Sequence, residues 1–284
     1  MTRFELVEPD TLDEAVRLLD PDDPGVRAVA GATALMPMMK ARLFKPTRLV
    51  SLHRVAGVLR GVHDAASDGI RIGALTTLTE LERSERIRTA APVVSRALRT
   101  LSNVRIRNVA TLGGHLAHGD PHMDLPPILM TLGARVRAVS RRGERWIDMH
   151  DLVLGYYQTS VANDELIGEV YVPLQPPDAR TGYEKFTALS VDDWPTVGVA
   201  VWYRVAADRI AGARVAVSAA TERPMRIAAA EAVLLGAFAN ATSFSNAADA
   251  AAAAVDPLSD VRGSAAYKRE MVRVHVRRAL ERAR

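Results

Sequence analysis

The chain of 284 residues has no cysteine. It therefore holds no disulfide, no thiolate-ligated iron–sulfur cluster and no cysteine nucleophile. Aromatic residues are scarce, at 5%, and no aromatic-plus-basic surface of the kind that stacks nucleotides can be traced, despite a formal charge of +4. Long apolar runs are missing as well, since no stretch approaches the roughly 18 residues needed to cross a bilayer. Met1 to Glu5 alternate as a strand would and carry no signal-peptide core, which makes the cytoplasm the expected compartment. No carboxylate pair, Ser/His/Asp order or HExxH spacing demands hydrolytic chemistry.

What is present reads as α and β elements in succession. Phe4 and Leu6 alternate with polar residues, Thr11 to Glu14 forms a capping box, and Val26 to Ala30 is a strand broken by Gly31. A helix over Ala34 to Lys40 and a strand over Arg48 to Ser51 complete a small unit, residues 1–55. A larger unit, 56–175, has a strand from Gly69 to Ala74, a second capping box at Thr79 to Glu82 and a helix over Ala90 to Leu101. Strands over Ala134 to Val139, Trp146 to Asp148 and Glu165 to Val172 follow. Pro173, Pro176 and Pro177 mark a boundary. Beyond it, residues 176–284 predict a three-stranded antiparallel meander with helices, the last over Tyr267 to Ala283 with Ser264 as its cap. Arg262, Lys268, Arg269, Arg273, Arg277, Arg278, Arg282 and Arg284 concentrate positive charge there, as a solvated helix face or a subunit contact.

Three segments carry chemistry. In the first, Ala30-Gly31-Ala32-Thr33-Ala34-Leu35, a tight turn feeds a helix and can offer unpaired N–H groups to a phosphate. The second, Thr111 to Gly114, is short, nearly free of side chains and bears a hydroxyl, so its backbone N–H groups can converge on an anion. Asp124-Leu125-Pro126-Pro127 then opens the apolar run Ile128 to Leu132, a helix with Asp124 as its expected cap and proline in its first turn. The third is Tyr183-Glu184-Lys185-Phe186, where Lys185 by itself reads as a solvent-facing strand residue. His115, His118 and His122 with Asp120 and Asp124 have the look of a metal cluster, but Gly119 and Pro121 break the helix that would converge them, so no metal is expected.

Taken together, Ile106-Arg107-Asn108-Val109-Ala110-Thr111-Leu112-Gly113-Gly114, the following Asp120-Pro121 and Asp124, and the Met38-Met39-Lys40 tail of the first turn resemble the FAD-binding medium subunit of the molybdenum hydroxylases. That family includes the carbon monoxide dehydrogenase medium subunit and the flavin domain of xanthine dehydrogenase. The likeness extends through Gly73-Ala74-Leu75-Thr76-Thr77-Leu78, Asp193-Trp194-Pro195 and Arg262 to Lys268, essentially the whole chain. It implies an α+β protein with a PCMH-type (vanillyl-alcohol-oxidase-like) two-part FAD-binding fold, followed by an α+β C-terminal domain. It also implies non-covalent FAD held by Ala30 to Leu35, Thr76, Thr77, Asn108, Thr111, Gly113, Gly114, His115, Asp120, Asp124 and Lys185, with no catalytic side chain of its own. Asp124 is then a partner for ribityl or ribose hydroxyls as an alternative to a helix cap.

The resemblance further implies a [2Fe-2S] small subunit and a molybdopterin-binding large subunit in a dimer of heterotrimers, with electrons leaving FAD for NAD, a quinone or another acceptor. This chain departs from the family pattern at Ala32, Thr33 and Ala34, which replace glycine, histidine and serine. His115 stands for an Asn or Asp, and Ala188 and Leu189 stand for arginines. The altered turn keeps open the reading of an assembly subunit that has lost, or only weakly retains, flavin; a stand-alone flavoprotein of the same fold is a second alternative.

Overall fold

The structure, a computed structural model, describes residues 3–65 and 68–283; Met1, Thr2 and Arg284, named above, lie outside that range. The first unit runs β1 (Glu5–Val7), α1 (Leu12–Arg17), β2 (Val26–Val29), α2 (Leu35–Lys40) and β3 (Arg48–Ser51). Its strands form a parallel sheet in the order β1-β3-β2. Thr11 caps α1 through Glu14 N, but the Glu14 carboxylate reaches Asp10 N, so the box is displaced by one residue.

The second unit comprises β4 (Val62–Asp64), β5 (Gly69–Gly73), α3 (Leu78–Arg83), α4 (Glu85–Ala90), α5 (Pro92–Leu98), α6 (Val104–Arg107), α7 (Leu112–Ala117) and α8 (Leu125–Leu132). It continues with β6 (Arg135–Ser140), β7 (Gly143–Asp148), α9 (Met149–Leu152), β8 (Val153–Gly155), β9 (Gln158–Thr159) and β10 (Leu166–Pro173). Five of these strands form an antiparallel sheet in the order β4-β5-β10-β6-β7. The helix expected over Ala90 to Leu101 is broken, because Pro92 lacks the N–H needed to continue α4 and instead starts α5. The second capping box lies two residues earlier than expected: Thr77, not Thr79, caps α3, and Glu80 closes the box on Thr77 N at 2.8 Å.

The third unit is β11 (Ala179–Phe186), β12 (Val197–Ala206), β13 (Arg209–Ser218), β14 (Met225–Arg226), α10 (Ala228–Leu234), α11 (Ala241–Ala254) and α12 (Ala265–Arg282). Its antiparallel sheet has the order β11-β12-β13-β14, so a two-residue strand extends the expected meander of three. Alternation along β12 sends Ala200 and Trp202 into the core of the second unit, and Val199, Val201 and Tyr203 into a core shared with α11 and α12. Much of β12 is thus buried on both faces, and α8 packs on it with every residue buried. Gly133, left-handed at φ +74°, ends α8.

On α12, Val272, Val276 and Ala279 are buried as the periodicity predicts, as is Ala283 at its C-cap. Its charges are less free than the sequence suggests. Lys268 is buried against Asp260 at 2.7 Å, while Arg269, Arg273 and Arg282 pair with Asp256, Asp249 and Glu184. The central position of α8 makes Ile128→Ala an expensive change: unfolding free energy should fall by about 2–5 kcal/mol, read by urea denaturation. An unchanged midpoint would show that α8 does not join the two sheets energetically.

Candidate functional site

A cleft of about 730 Å³ opens where the Ala30 to Leu35 turn meets the start of α7, with Met123, Asp124, Lys185 and Trp194 along its walls. Gly31 explains the meeting. A Cβ built there would lie 1.9 Å from the Val109 carbonyl oxygen, so the two chain segments touch backbone to backbone. The next residue, Ala32, adopts φ +54°, the left-handed conformation that usually calls for glycine. Past it, the N–H groups of Ala32, Thr33, Ala34 and Leu35 have no hydrogen-bond partner among the described residues; intrachain bonding resumes with Met36 N to Ala32 O at 2.9 Å. Four donors thus stand in succession at the cleft, an anion-binding arrangement.

The second loop corrects the expectation of a matching donor array. Leu112 N donates to Thr76 O, Gly113 N to Ala74 O at 2.7 Å, Gly114 N to the Thr111 hydroxyl and His115 N to Thr111 O. Thr111 is the N-cap of α7, and its segment is tied to the scaffold rather than held open. Gly113 is required by packing, because a Cβ would sit 2.7 Å from that of Ala74. Gly114 differs: a Cβ there would meet only Thr111 Oγ1, at 3.0 Å, and would otherwise project into open space. Its contribution to the cleft is room.

Four expected site residues do not line the cleft. Thr76 exchanges hydrogen bonds with the backbone of Gly61, and Thr77 is occupied by its capping box. Asn108 accepts from the Thr79 hydroxyl. Asp120 accepts from His122 N and from Nδ1 of the same residue, both at 2.8 Å. Ala30 to Leu35, Thr111, Gly113, Gly114, His115, Asp124 and Lys185 do line it.

Asp124 stands at the N-cap position of α8, but its side chain does not cap the helix. Instead it accepts from the Tyr183 hydroxyl at 2.6 Å and from Lys185 Nζ at 3.4 Å. Lys185 also donates to Thr100 O at 3.0 Å, and only 6% of its side chain is exposed, so the solvent-facing reading fails. Burial raises the Asp124 carboxyl above its ordinary range against the opposing pull of Lys185 and Tyr183, and burial likewise holds the Tyr183 hydroxyl protonated far into the alkaline range. The cleft wall therefore carries a fixed, dry ion pair.

The histidines do not gather as metal ligands. His118 and His122 pack against Trp194 at ring distances of 6.5 and 6.1 Å, and His118 against Tyr157 at 5.1 Å. Among the described residues the group with metal-like spacing is Asp148, His150 and Asp151, all exposed and away from the cleft lining. His115 Nε2 is sealed from solvent without a partner, and burial lowers its pKa to about 3. Sequence reasoning missed Arg27, Ser102 and Tyr157 in the lining. Ser102 and Tyr157 carry left-handed backbones at φ +56°, a strain that no residue type announces.

A run of unpaired donors, an open glycine face, an orphaned ring nitrogen and a buried cation together define a site for a large, phosphate-bearing organic cofactor. Residues 2–175 match the FAD binding domain in molybdopterin dehydrogenase, and residues 183–283 match the CO dehydrogenase flavoprotein C-terminal domain. The nicotine 6-hydroxylase medium subunit of Paenarthrobacter nicotinovorans is 34% identical over 96% of this chain and 94% of its own. The solved carbon monoxide dehydrogenase of Hydrogenophaga pseudoflava superimposes with a TM-score of 0.95 at 33% identity, covering 99% of this chain and 97% of that one. Quinoline 2-oxidoreductase from Pseudomonas putida 86 gives a TM-score of 0.92 at 26% identity, over 99% and 97% of the two chains. The chain belongs to the FAD-binding medium subunits of the molybdenum hydroxylases, and is a subunit of an FAD-dependent oxidoreductase. No helix among the described residues is long and apolar enough to cross a membrane.

Two outcomes follow from this geometry. Ala32→Gly should stabilise the FAD-free chain by about 1 kcal/mol, by removing the left-handed strain of a residue with a Cβ; thermal unfolding reads the sign, and destabilisation would contradict it. His115 is held neutral in the fold with a pKa near 3, below the ordinary 6.5 of the unfolded chain. Its contribution is therefore complete above pH 6.5 and lost as pH falls toward 3, by up to about 1.4 kcal/mol per pH unit. His115→Gln should flatten that part of the acid limb; an identical pH profile would place the ring in contact with solvent.

Proposed function

We propose that this chain is the flavin module of a heteromeric molybdenum hydroxylase, lying between the [2Fe-2S] clusters of a small subunit and a terminal acceptor such as NAD or a quinone. FAD, when bound, supplies the capacity to exchange electrons singly or in pairs. The observation that carries the reading is the unpaired run of N–H groups from Ala32 to Leu35. These would hold the cofactor diphosphate, while Gly114 leaves space beside them. The substituted turn, which motivates the alternative of an assembly subunit with weak or lost flavin binding, still has its donors unpaired, with Ala32 in the left-handed conformation.

The protein's own residues do three things in this scheme. Backbone donors bind. The α7 start, locked by its bonds to Ala74 and Thr76, keeps the opposite wall rigid. Asp124, itself held by the Tyr183 hydroxyl, and the Thr100 carbonyl keep Lys185 in one place, so its ammonium would stand at the cofactor without rearrangement. The cysteine-free chain supplies no thiolate for a cluster, which agrees with those centres residing in a partner. The large subunit would carry the molybdopterin, and each of the three subunits would be present twice, in the cytoplasm. The three larger of the four sheets among the described residues, with three hydrophobic cores, support the division 1–55, 56–175 and 176–284, although Leu59, Leu75, Val139 and Leu166 of the second segment pack into the core of the first, and Ala200, Trp202 and Ala216 of the third into that of the second.

Gly114→Ala places a methyl group in the cleft and should weaken FAD binding roughly tenfold or more, whereas Ala32→Gly should leave affinity unchanged or tighter. Flavin titration of both variants checks this, and tight binding by the Gly114→Ala protein would remove Gly114 from the cofactor surface. The native preparation should contain iron, molybdenum and FAD in one assembly on size-exclusion chromatography with mass measurement. A flavin-loaded monomer free of both metals, oxidising its own donor, would establish the stand-alone flavoprotein instead.

A further inference from the structure

Arg27, on β2 just ahead of the Ala30 turn, lines the cleft. Its Nη1 donates to Asn163 Oδ1 at 2.6 Å, and its guanidinium carbon lies 5.9 Å from the centre of the Phe44 ring. Asn163 donates in turn to Pro21 O at 3.3 Å, which anchors the amide. Among the described residues no carboxylate pairs with Arg27, and burial lowers its pKa with no acidic neighbour to offset it. The nearest contrast is Glu165, which lines the same cleft but is taken by Arg145 at 2.7 Å. A half-buried guanidinium without an anion is costly, and the fold retains one at the cleft.

We propose that Arg27 is the side-chain anchor for the anionic diphosphate of the cofactor. The assignment rests on the reading of this cleft as the FAD site. FAD has one permanently anionic part, and the N–H groups of Ala32 to Leu35 offer it partial charges but no full one. Arg27 precedes those donors on the same strand and turn, and its planar fork matches phosphate oxygens. Asn163 orients the guanidinium without neutralising it, as an aspartate would. The charge is thus positioned yet left unspent.

The test is FAD titration of the FAD-free full chain at low and at high salt, for wild type, Arg27→Met, Arg27→Lys and Asn163→Asp. Arg27→Met should weaken FAD binding roughly 10- to 100-fold at low salt, with a much smaller loss at high salt. Arg27→Lys should recover part of the affinity, since it restores the charge without the fork. Asn163→Asp should weaken FAD while leaving Arg27 in place, because the new carboxylate neutralises it; this arm holds even if Arg27→Met folds poorly. Unchanged affinity in Arg27→Met and Asn163→Asp would overturn the proposal. So would a loss that is equal at both salt concentrations and unrelieved by lysine, which is the mark of a packing role. A wild-type chain that binds no FAD would fail the cleft reading instead, and so is told apart from either result.

Discussion

The contact between Gly31 and the Val109 carbonyl is the constraint on which the site depends. It brings the first sheet's outgoing turn against the segment that enters α7, with no space for a side chain between them. Everything at the cleft follows from that proximity. Beside that contact Ala32 takes a left-handed conformation, and the N–H groups of Ala32 to Leu35 have no hydrogen-bond partner among the described residues. The two segments then divide the labour: one is strained and unpaired, the other satisfied and rigid. A site made of two equally open loops would lose more conformational entropy on binding.

The Asp124–Lys185–Tyr183 cluster shows a second compromise. Burying both charges costs several kcal/mol per ion, offset only when the geometry is good and the remaining polar groups are bonded. Here Asp124 accepts from two donors and Lys185 reaches a backbone carbonyl as well. The cluster also ties the third unit to the second, because Tyr183 and Lys185 belong to β11 and Asp124 stands at the head of α8. Losing either ion alone would strand the other in a dry place, a change worth about 3–5 kcal/mol. The same residues that position a charge at the cleft therefore also hold the fold together. Mutational effects on binding and stability at these positions will be mixed.

Much of the architecture was legible in the sequence because it depends on local pattern. The alternation of β12 and β13, the Ser264 cap and the buried stripe of α12 all follow from periodicity and capping chemistry. Errors fell where a long-range partner decides the outcome. Asp124 has the sequence signature of an N-cap, but Tyr183 and Lys185, some sixty residues on, compete for its carboxylate and win. The Thr111 to Gly114 run has the small residues of an anion loop, yet its N–H groups are consumed by Ala74, Thr76 and Thr111. Glycines at 31, 113 and 114 look alike in sequence and serve three ends: a backbone crossing, a packing contact and an open surface. The left-handed backbones of Ser102 and Tyr157 and the unpaired charge of Arg27 leave no trace that a single sequence would show.

The asymmetry between the two loops is the central claim, and amide hydrogen exchange with and without FAD tests it most directly. The N–H groups of Ala32, Thr33, Ala34 and Leu35 are free and should exchange fast in the FAD-free chain, then slow markedly when FAD is added. Those of Leu112, Gly113, Gly114 and His115 are already bonded and should be protected in both states. Protection gained chiefly at Leu112 to His115, with Ala32 to Leu35 unaffected, would contradict the account and return the diphosphate to the second loop.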